Sequence, residues 1–283
     1  MGAQATAGAA IRQAVRLSVA LGPNTNGPRE RLCRYPYSLD MADLPDVYDR
    51  TRKVITAFVS GLSDDDLQRH VPATPDWTIK DIVAHLSGDV AYVYAGDFPR
   101  EFFAAFGEPA GVAKLNEWTS KMVAERSNMT LDEIIEEWET STSKLLEGWR
   151  SGIMPHGLPI FAANVLVTDI AVHQQDIYGA LGLERDRDSA ALRIGTTGYI
   201  VSMSWRLQPA GIPPLLFDLG DKTRATSEGE PGATVRAGRF ELFRALSGRR
   251  APDQIKNFDW QGDPEPYIPY FFPYGMREEA LVE

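Results

Sequence analysis

Cysteine is almost missing from this sequence: Cys33 is the only one in 283 residues. No intramolecular disulfide and no cysteine-rich metal site can form, and a reducing compartment, the cytoplasm, is the simplest setting. Histidine is nearly as scarce, so imidazole chemistry must draw on His70, His85, His156 and His173. Positive charge is in deficit, with 29 basic against 39 acidic residues and a formal net charge of −10. That weighs against nucleic acid as a partner, because a general binder needs a basic face. It leaves room for a local basic pocket that takes an acidic small molecule. No apolar run approaches the roughly 18–20 residues that span a bilayer, so no membrane partner is expected. The motifs H-E-x-x-H, Glu-x-x-His, G-x-G-x-x-G, G-x-S-x-G and the Walker loop are absent, which argues against zincin proteases, di-iron bundles, dinucleotide or nucleotide folds and serine hydrolases. Ser141-Thr142-Ser143-Lys144 matches S-x-x-K formally, but it lies in an amphipathic helical pattern and is read as chance.

What is present divides the chain into three stretches. Residues 1–40 hold five arginines, Arg12, Arg16, Arg29, Arg31 and Arg34, and only two acids, Glu30 and Asp40. The apolar stretch Leu17–Leu21 is shorter than the ~7–15 residues of a signal core. These residues are read as a disordered extension, with Met41 as a natural beginning and Pro45 early in a helix. Residues 41–185 read as a helical bundle. One apolar stripe is Val47, Val54, Ile55, Phe58, Val59 and Leu62. Capping boxes at Thr78–Asp81 and Thr130–Glu133 open two further helices. A weaker helix covers about 112–126, and another runs from Phe161 to Leu181 with Gly182 as its stop. Long amphipathic helices joined in this way form a bundle. Residues 186–283 mix a helix at 190–207 with strand candidates at 214–219 and 233–236, a short helix at 239–247 and an aromatic segment at 258–272. They predict a smaller α+β domain. The expected class is thus α plus α+β.

Two histidines sit inside the apolar helices. His85 lies beside the core stripe of its helix. On the 161–181 helix, Leu166, Asp169, His173, Asp176 and Ala180 share one face, since residues at i, i+3 and i+4 are neighbours about 5–6 Å apart. Its middle is polar where a bundle helix should be apolar. Buried carboxylates need a partner or a cation. Two readings follow: Asp169 pairs with His173 as a structural ion pair, or a divalent metal is held by Asp169, His173 and a histidine from a neighbouring helix. His70 reads as a surface residue and His156 as a loop residue able to reach a pocket rim.

The segment Pro72-Ala73-Thr74-Pro75 followed by Trp77-Thr78-Ile79-Lys80-Asp81-Ile82-Val83-Ala84-His85-Leu86 resembles the opening motif of the mycothiol-dependent maleylpyruvate isomerase family, DinB-like bundles of actinobacteria. Asp169-Ile170-Ala171-Val172-His173-Gln174-Gln175-Asp176-Ile177, followed by Ala180-Leu181-Gly182, resembles its second motif. The likeness covers about residues 44–182, and Ala233–Arg249 with Gly262-Asp263-Pro264 is similar to the family's smaller C-terminal domain. The resemblance implies a DinB-like four-helix bundle with a zinc-type site on His85, Asp169 and His173. Asp169 stands where the isomerase has glutamate and is one methylene shorter.

Two functions come from this. The first is a metal-dependent enzyme that uses a low-molecular-weight thiol, mycothiol by resemblance, for isomerisation or S-transfer on a small electrophilic substrate. The catalytic group would be a metal-bound thiol or water, with Arg236 and Arg244 as contacts for substrate or thiol. The second is a non-catalytic metal-containing binding protein, motivated by the aromatic run Tyr267, Tyr270, Phe271, Phe272 and Tyr274. Either would act as a monomer or homodimer.

Overall fold

Helix formation in the N-terminal half follows local capping and apolar periodicity. The computed structural model describes residues 44–98, 109–158 and 161–283; the expected extension over residues 1–40 and the start at Met41 lie outside them. The first helix, α1 (Leu44–Val59), buries Leu44, Val47, Tyr48, Ile55 and Val59. Val54, expected on that stripe, is 44% exposed. It neighbours Ile55 in sequence and so points roughly 100° away from it around the helix. After a short α2 (Asp64–Leu67), strands β1 (His70–Val71) and β2 (Thr74–Thr78) form an antiparallel hairpin that sequence reading did not anticipate. His70 is exposed in it, its Nδ1 2.9 Å from the Pro75 carbonyl oxygen.

Thr78 ends the hairpin and opens α3 (Ile79–Ala95). Its hydroxyl accepts from the Asp81 amide at 3.2 Å, and the Asp81 carboxylate accepts from the Thr78 amide at 2.9 Å. The second capping box, Thr130 with Glu133, opens α5 (Leu131–Arg150) in the same way. Between them lies α4 (Pro109–Arg126). The next helix, α6 (Phe161–Ala180), is followed by Gly182 at φ +66°, a left-handed conformation that suits glycine after a helix. α3 packs most extensively on α5, and α6 sits against α1, α3 and the following helix, α7 (Ala190–Leu207).

The C-terminal part is α+β. Strands β3 (Leu215–Asp218), β4 (Thr223–Ala225), β5 (Ala233–Arg236) and β6 (Asp259–Gln261) form one sheet in the order β4-β3-β5-β6. β3 and β5 run parallel, and the outer pairs are antiparallel. Helices α8 (Arg239–Leu246) and α9 (Pro252–Lys256) complete it. Two apolar cores result, and α7 contributes to both: Ala191 and Leu192 to the bundle core, Ile200, Met203 and Leu207 to the second. The aromatic segment belongs to the second core, where Tyr267 and Phe271 are buried and stack around Trp260.

Trp138 on α5 is the largest fully buried side chain, and its indole donates to the Tyr48 hydroxyl at 3.0 Å. Trp138→Ala should lower the unfolding free energy by about 3–5 kcal/mol, read from urea denaturation. A loss under about 1 kcal/mol, the scale of a surface substitution, would contradict its placement at the centre of the bundle core.

Candidate metal centre

α6 is buried on nearly every side, as a helix with apolar residues all round should be. Its exceptions in the middle are Val165 and Asp169, one turn apart, so a single stripe reaches solvent and ends at the Asp169 carboxylate. His173 stands one turn further on and is buried. α3 brings His85 to the same point, also buried, because the capping box fixes where that helix begins.

The three side chains converge. His85 Nε2 lies 3.2 Å from Asp169 Oδ2, and His173 Nε2 lies 3.6 Å from Asp169 Oδ1. The imidazole rings meet edge to face with centroids 4.8 Å apart. Trp77, from β2, covers them at 5.0 Å from the His85 ring and 6.1 Å from the His173 ring. All three ligand atoms fall within 4.8 Å of one another. A tetrahedral zinc ion with bonds of roughly 2.0–2.1 Å implies donor separations of about 3.3 Å; the histidines approach Asp169 on its two different oxygens, at 3.2 Å and 3.6 Å. Two neutral nitrogens and one carboxylate oxygen on this spacing fit a divalent ion, with a position left for a further ligand. The structural ion pair expected as the alternative is present in the same geometry, with Asp169 bridging both histidines rather than His173 alone.

The surroundings hold these groups in place. His173 Nδ1 lies 2.9 Å from Asp176 Oδ2. Asp176 is fully buried and takes Arg244 Nη2 and Arg249 Nη2 at 2.7 Å each. Burial opposes its charge, but Arg249, Arg244 and His173 together hold its carboxyl well below the usual range. A carboxylate behind a ligating imidazole fixes ring orientation and raises its basicity. Asp176, read from sequence as a second inward carboxylate, therefore stands behind His173 and outside the three-ligand group.

The remaining sequence candidates lie as follows. Arg244 is fully buried and also binds Glu283, with Nε 2.8 Å from Oε2. Arg236 is exposed on β5 and pairs with Asp218 at 2.7 Å. His156 occupies a turn at Pro155–Gly157 and lies 2.8 Å from the Tyr94 carbonyl oxygen, away from the three ligands.

Sequence reading missed Asp89. It sits one turn beyond His85, its Oδ2 3.8 Å from His85 Nε2, and its carboxyl shares a hydrogen bond with that of Asp169. The signal was available: an acid at i+4 from a histidine in an otherwise apolar helix, the mirror image of Asp169 and His173. Burial and the neighbouring Asp169 charge raise the Asp89 pKa, against the pull of His85. Burial also disfavours charge on His85, but Asp89 and Asp169 outweigh it and lift its pKa to about 9. Asp169 keeps its charge despite burial, because His173 and His85 both stabilise it.

Residues 48–178 match the family model for the mycothiol maleylpyruvate isomerase N-terminal domain. Among solved structures, the chain is similar to a mutant of the mycothiol-dependent maleylpyruvate isomerase, with 11% identity and a TM-score of 0.50 over 78% of this chain and 92% of that one. It also matches a structure of the mycothiol-dependent maleylpyruvate isomerase with 12% identity and a TM-score of 0.43, over 74% and 89%. No curated protein matches the chain. At such identity the first of these structures speaks for the fold alone. That fold is the expected class, a DinB-like helical bundle followed by a smaller α+β part.

The elevated His85 pKa has a consequence for the metal-stripped protein. A histidine raised from 6.5 to about 9 on folding contributes stability that is complete below pH ~6.5 and is lost as the pH climbs through the folded value. Asp89, raised as well, acts in the same direction. The thermal midpoint of stripped protein should therefore fall between pH 6.5 and 9, and His85→Ala should flatten the fall. A midpoint that is level or rising across that window would contradict these charge states.

Proposed function

We propose that the protein, whose residues 48–178 match the family model for the mycothiol maleylpyruvate isomerase N-terminal domain, is a divalent-metal enzyme that uses mycothiol on a small electrophilic substrate, by isomerisation or S-transfer. The observation that carries this reading is the convergence of His85 Nε2, His173 Nε2 and the half-buried Asp169 carboxylate. Zinc is the ion proposed, since two imidazoles and one carboxylate with a fourth position open are its catalytic pattern. When bound, it supplies Lewis acidity and lowers the pKa of a coordinated thiol, so that the nucleophilic thiolate forms at neutral pH.

The chain's own residues do the rest. Asp169 accepts from or pairs with both imidazoles and keeps its negative charge in the buried site. Asp176, clamped by Arg244 and Arg249, orients His173. Arg244 is therefore a positioning residue, acting through Asp176. Trp77 shields the histidines on one side. Asp89 stands beside Asp169, and the two carboxyl groups share a hydrogen bond. Among the described residues no helix is long and apolar enough to cross a membrane. With a single cysteine and a thiol partner, the cytoplasm is the setting proposed.

The alternative is a binding protein built on the C-terminal aromatic run, of which Tyr267 and Phe271 are packed into the second core while Tyr270, Phe272 and Tyr274 are half-buried.

Purified protein offered zinc should hold close to one ion per chain, and His173→Ala should remove most of it with the helical circular dichroism retained. In calorimetry, mycothiol should bind the loaded wild type and fail to bind His85→Ala. Arg236→Ala, whose guanidinium is engaged by Asp218, should bind as the wild type does. Protein that takes up no zinc, or mycothiol binding equally strong without His85, would overturn the mechanism.

A further inference from the structure

Three buried hydrogen-bond donors without partners line one seam between α6 and α7, apart from His85, Asp169 and His173. On α7, Ser202 and Arg206 stand one turn apart, on the stripe that also carries Gly198 and Tyr199. Opposite them on α6, Asn164 packs its amide oxygen against Gly198, where a Cβ would come within 2.4 Å of Oδ1. Thr168 Oγ1 donates to the same oxygen at 3.5 Å, which leaves the amide nitrogen as the free end of Asn164. Asn164, Ser202 and Arg206 are 5%, 7% and 9% exposed, and Asn164 Nδ2, Ser202 Oγ and Arg206 Nε have no hydrogen-bond partner.

Arg206 is the telling member. The other buried arginines, Arg52, Arg126, Arg239, Arg244 and Arg250, each hold a carboxylate. Among the described residues Arg206 holds none. A buried cation without a counter-charge is expensive, and natural folds retain one where a ligand supplies the missing anion. Burial lowers its pKa to about 10, with the phenols of Tyr274 and Tyr270 working the other way, so it remains charged at neutral pH. The set carries one positive charge and no negative one, and each member can donate: the guanidinium, the amide nitrogen and the Ser202 hydroxyl. That matches a planar monoanion, and the guanidinium fork suits a carboxylate. Tyr199 lies seven residues before Arg206 on the same stripe, about 10 Å along the helix. Asn164 also shares α6 with Asp169, five residues before it and about 7–8 Å along the helix.

We infer that Arg206, Ser202 and Asn164 form a subsite for a carboxylate carried by the electrophilic substrate. The inference rests on the proposed function for what the rest of that substrate meets, while the subsite itself can be tested without it. Succinate serves as the probe in calorimetry of the full chain, both zinc-loaded and metal-stripped, at fixed ionic strength, with sulfate as a tetrahedral comparison. Wild type should bind succinate in both forms and sulfate more weakly. Arg206→Met should weaken succinate by roughly tenfold or more, with a thermal midpoint no lower than wild type because an unpaired buried charge has been removed. Should Arg206→Met not fold, Arg206→Lys keeps the charge, loses the fork and should weaken succinate severalfold. No succinate binding to wild type, binding unchanged in both variants, or sulfate binding as tightly as succinate would overturn the assignment. Zinc content measured on the same samples separates the two readings. Arg206-dependent succinate binding in a protein that refuses zinc keeps the subsite and removes the metal; zinc uptake without such binding does the reverse.

Discussion

The fully buried ion pair between Asp176 and Arg244 joins the helix that carries Asp169 and His173 to the C-terminal part of the chain. Two opposite charges in an apolar interior are tolerated only when each is fully compensated, and removing one partner of such a pair typically costs about 3–5 kcal/mol. Here the compensation is complete. Arg249 takes the second oxygen of Asp176, Glu283 takes the other side of Arg244, and Arg250 holds both Glu283 and Glu241. His173 Nδ1 faces the same Asp176 carboxylate. The carboxylate that faces one imidazole of the bundle is therefore held by Arg244 and Arg249, more than 60 positions later.

This dependence explains why the α+β part accompanies the bundle. α7 feeds both apolar cores, and Phe243 from α8 packs into the first of them while its neighbour Leu242 packs into the second. The bundle supplies the converging donors, and the C-terminal part faces one of them with a clamped carboxylate. The two charge systems differ in kind. Around Asp176 the charges are matched within the chain, which is what a positioning network needs. Among the described residues Arg206 has no such match, which is what a recognition site needs.

Much of this was legible in the sequence, for local reasons. Capping boxes at Thr78 and Thr130 placed the starts of α3 and α5. An acid and a histidine at i and i+4 in a buried helix left an ion pair and a metal site both open; the resemblance of the two motifs is what named His85, Asp169 and His173 together, and their ligand atoms lie within 4.8 Å of one another. The β1–β2 hairpin was not legible, because β1 has two residues and Pro75 interrupts β2. Arg244 was read as a contact for substrate or thiol, because its partners Asp176 and Glu283 are distant in sequence and no local pattern records such pairing. Asp89 was legible but overlooked. Arg206 was not, since its significance is the lack of a counter-charge, which only the packed structure reveals.

Zinc X-ray absorption spectroscopy on the loaded full chain, with and without mycothiol, is the most direct measurement of the central claim. Without thiol the first shell should contain two imidazole nitrogens and oxygen at roughly 2.0–2.2 Å and no sulfur. With thiol, one sulfur should enter at about 2.3 Å while both imidazoles remain. A shell lacking imidazole, or one that never admits sulfur, would contradict the assignment of His85, Asp169 and His173 as the site where the thiol is activated.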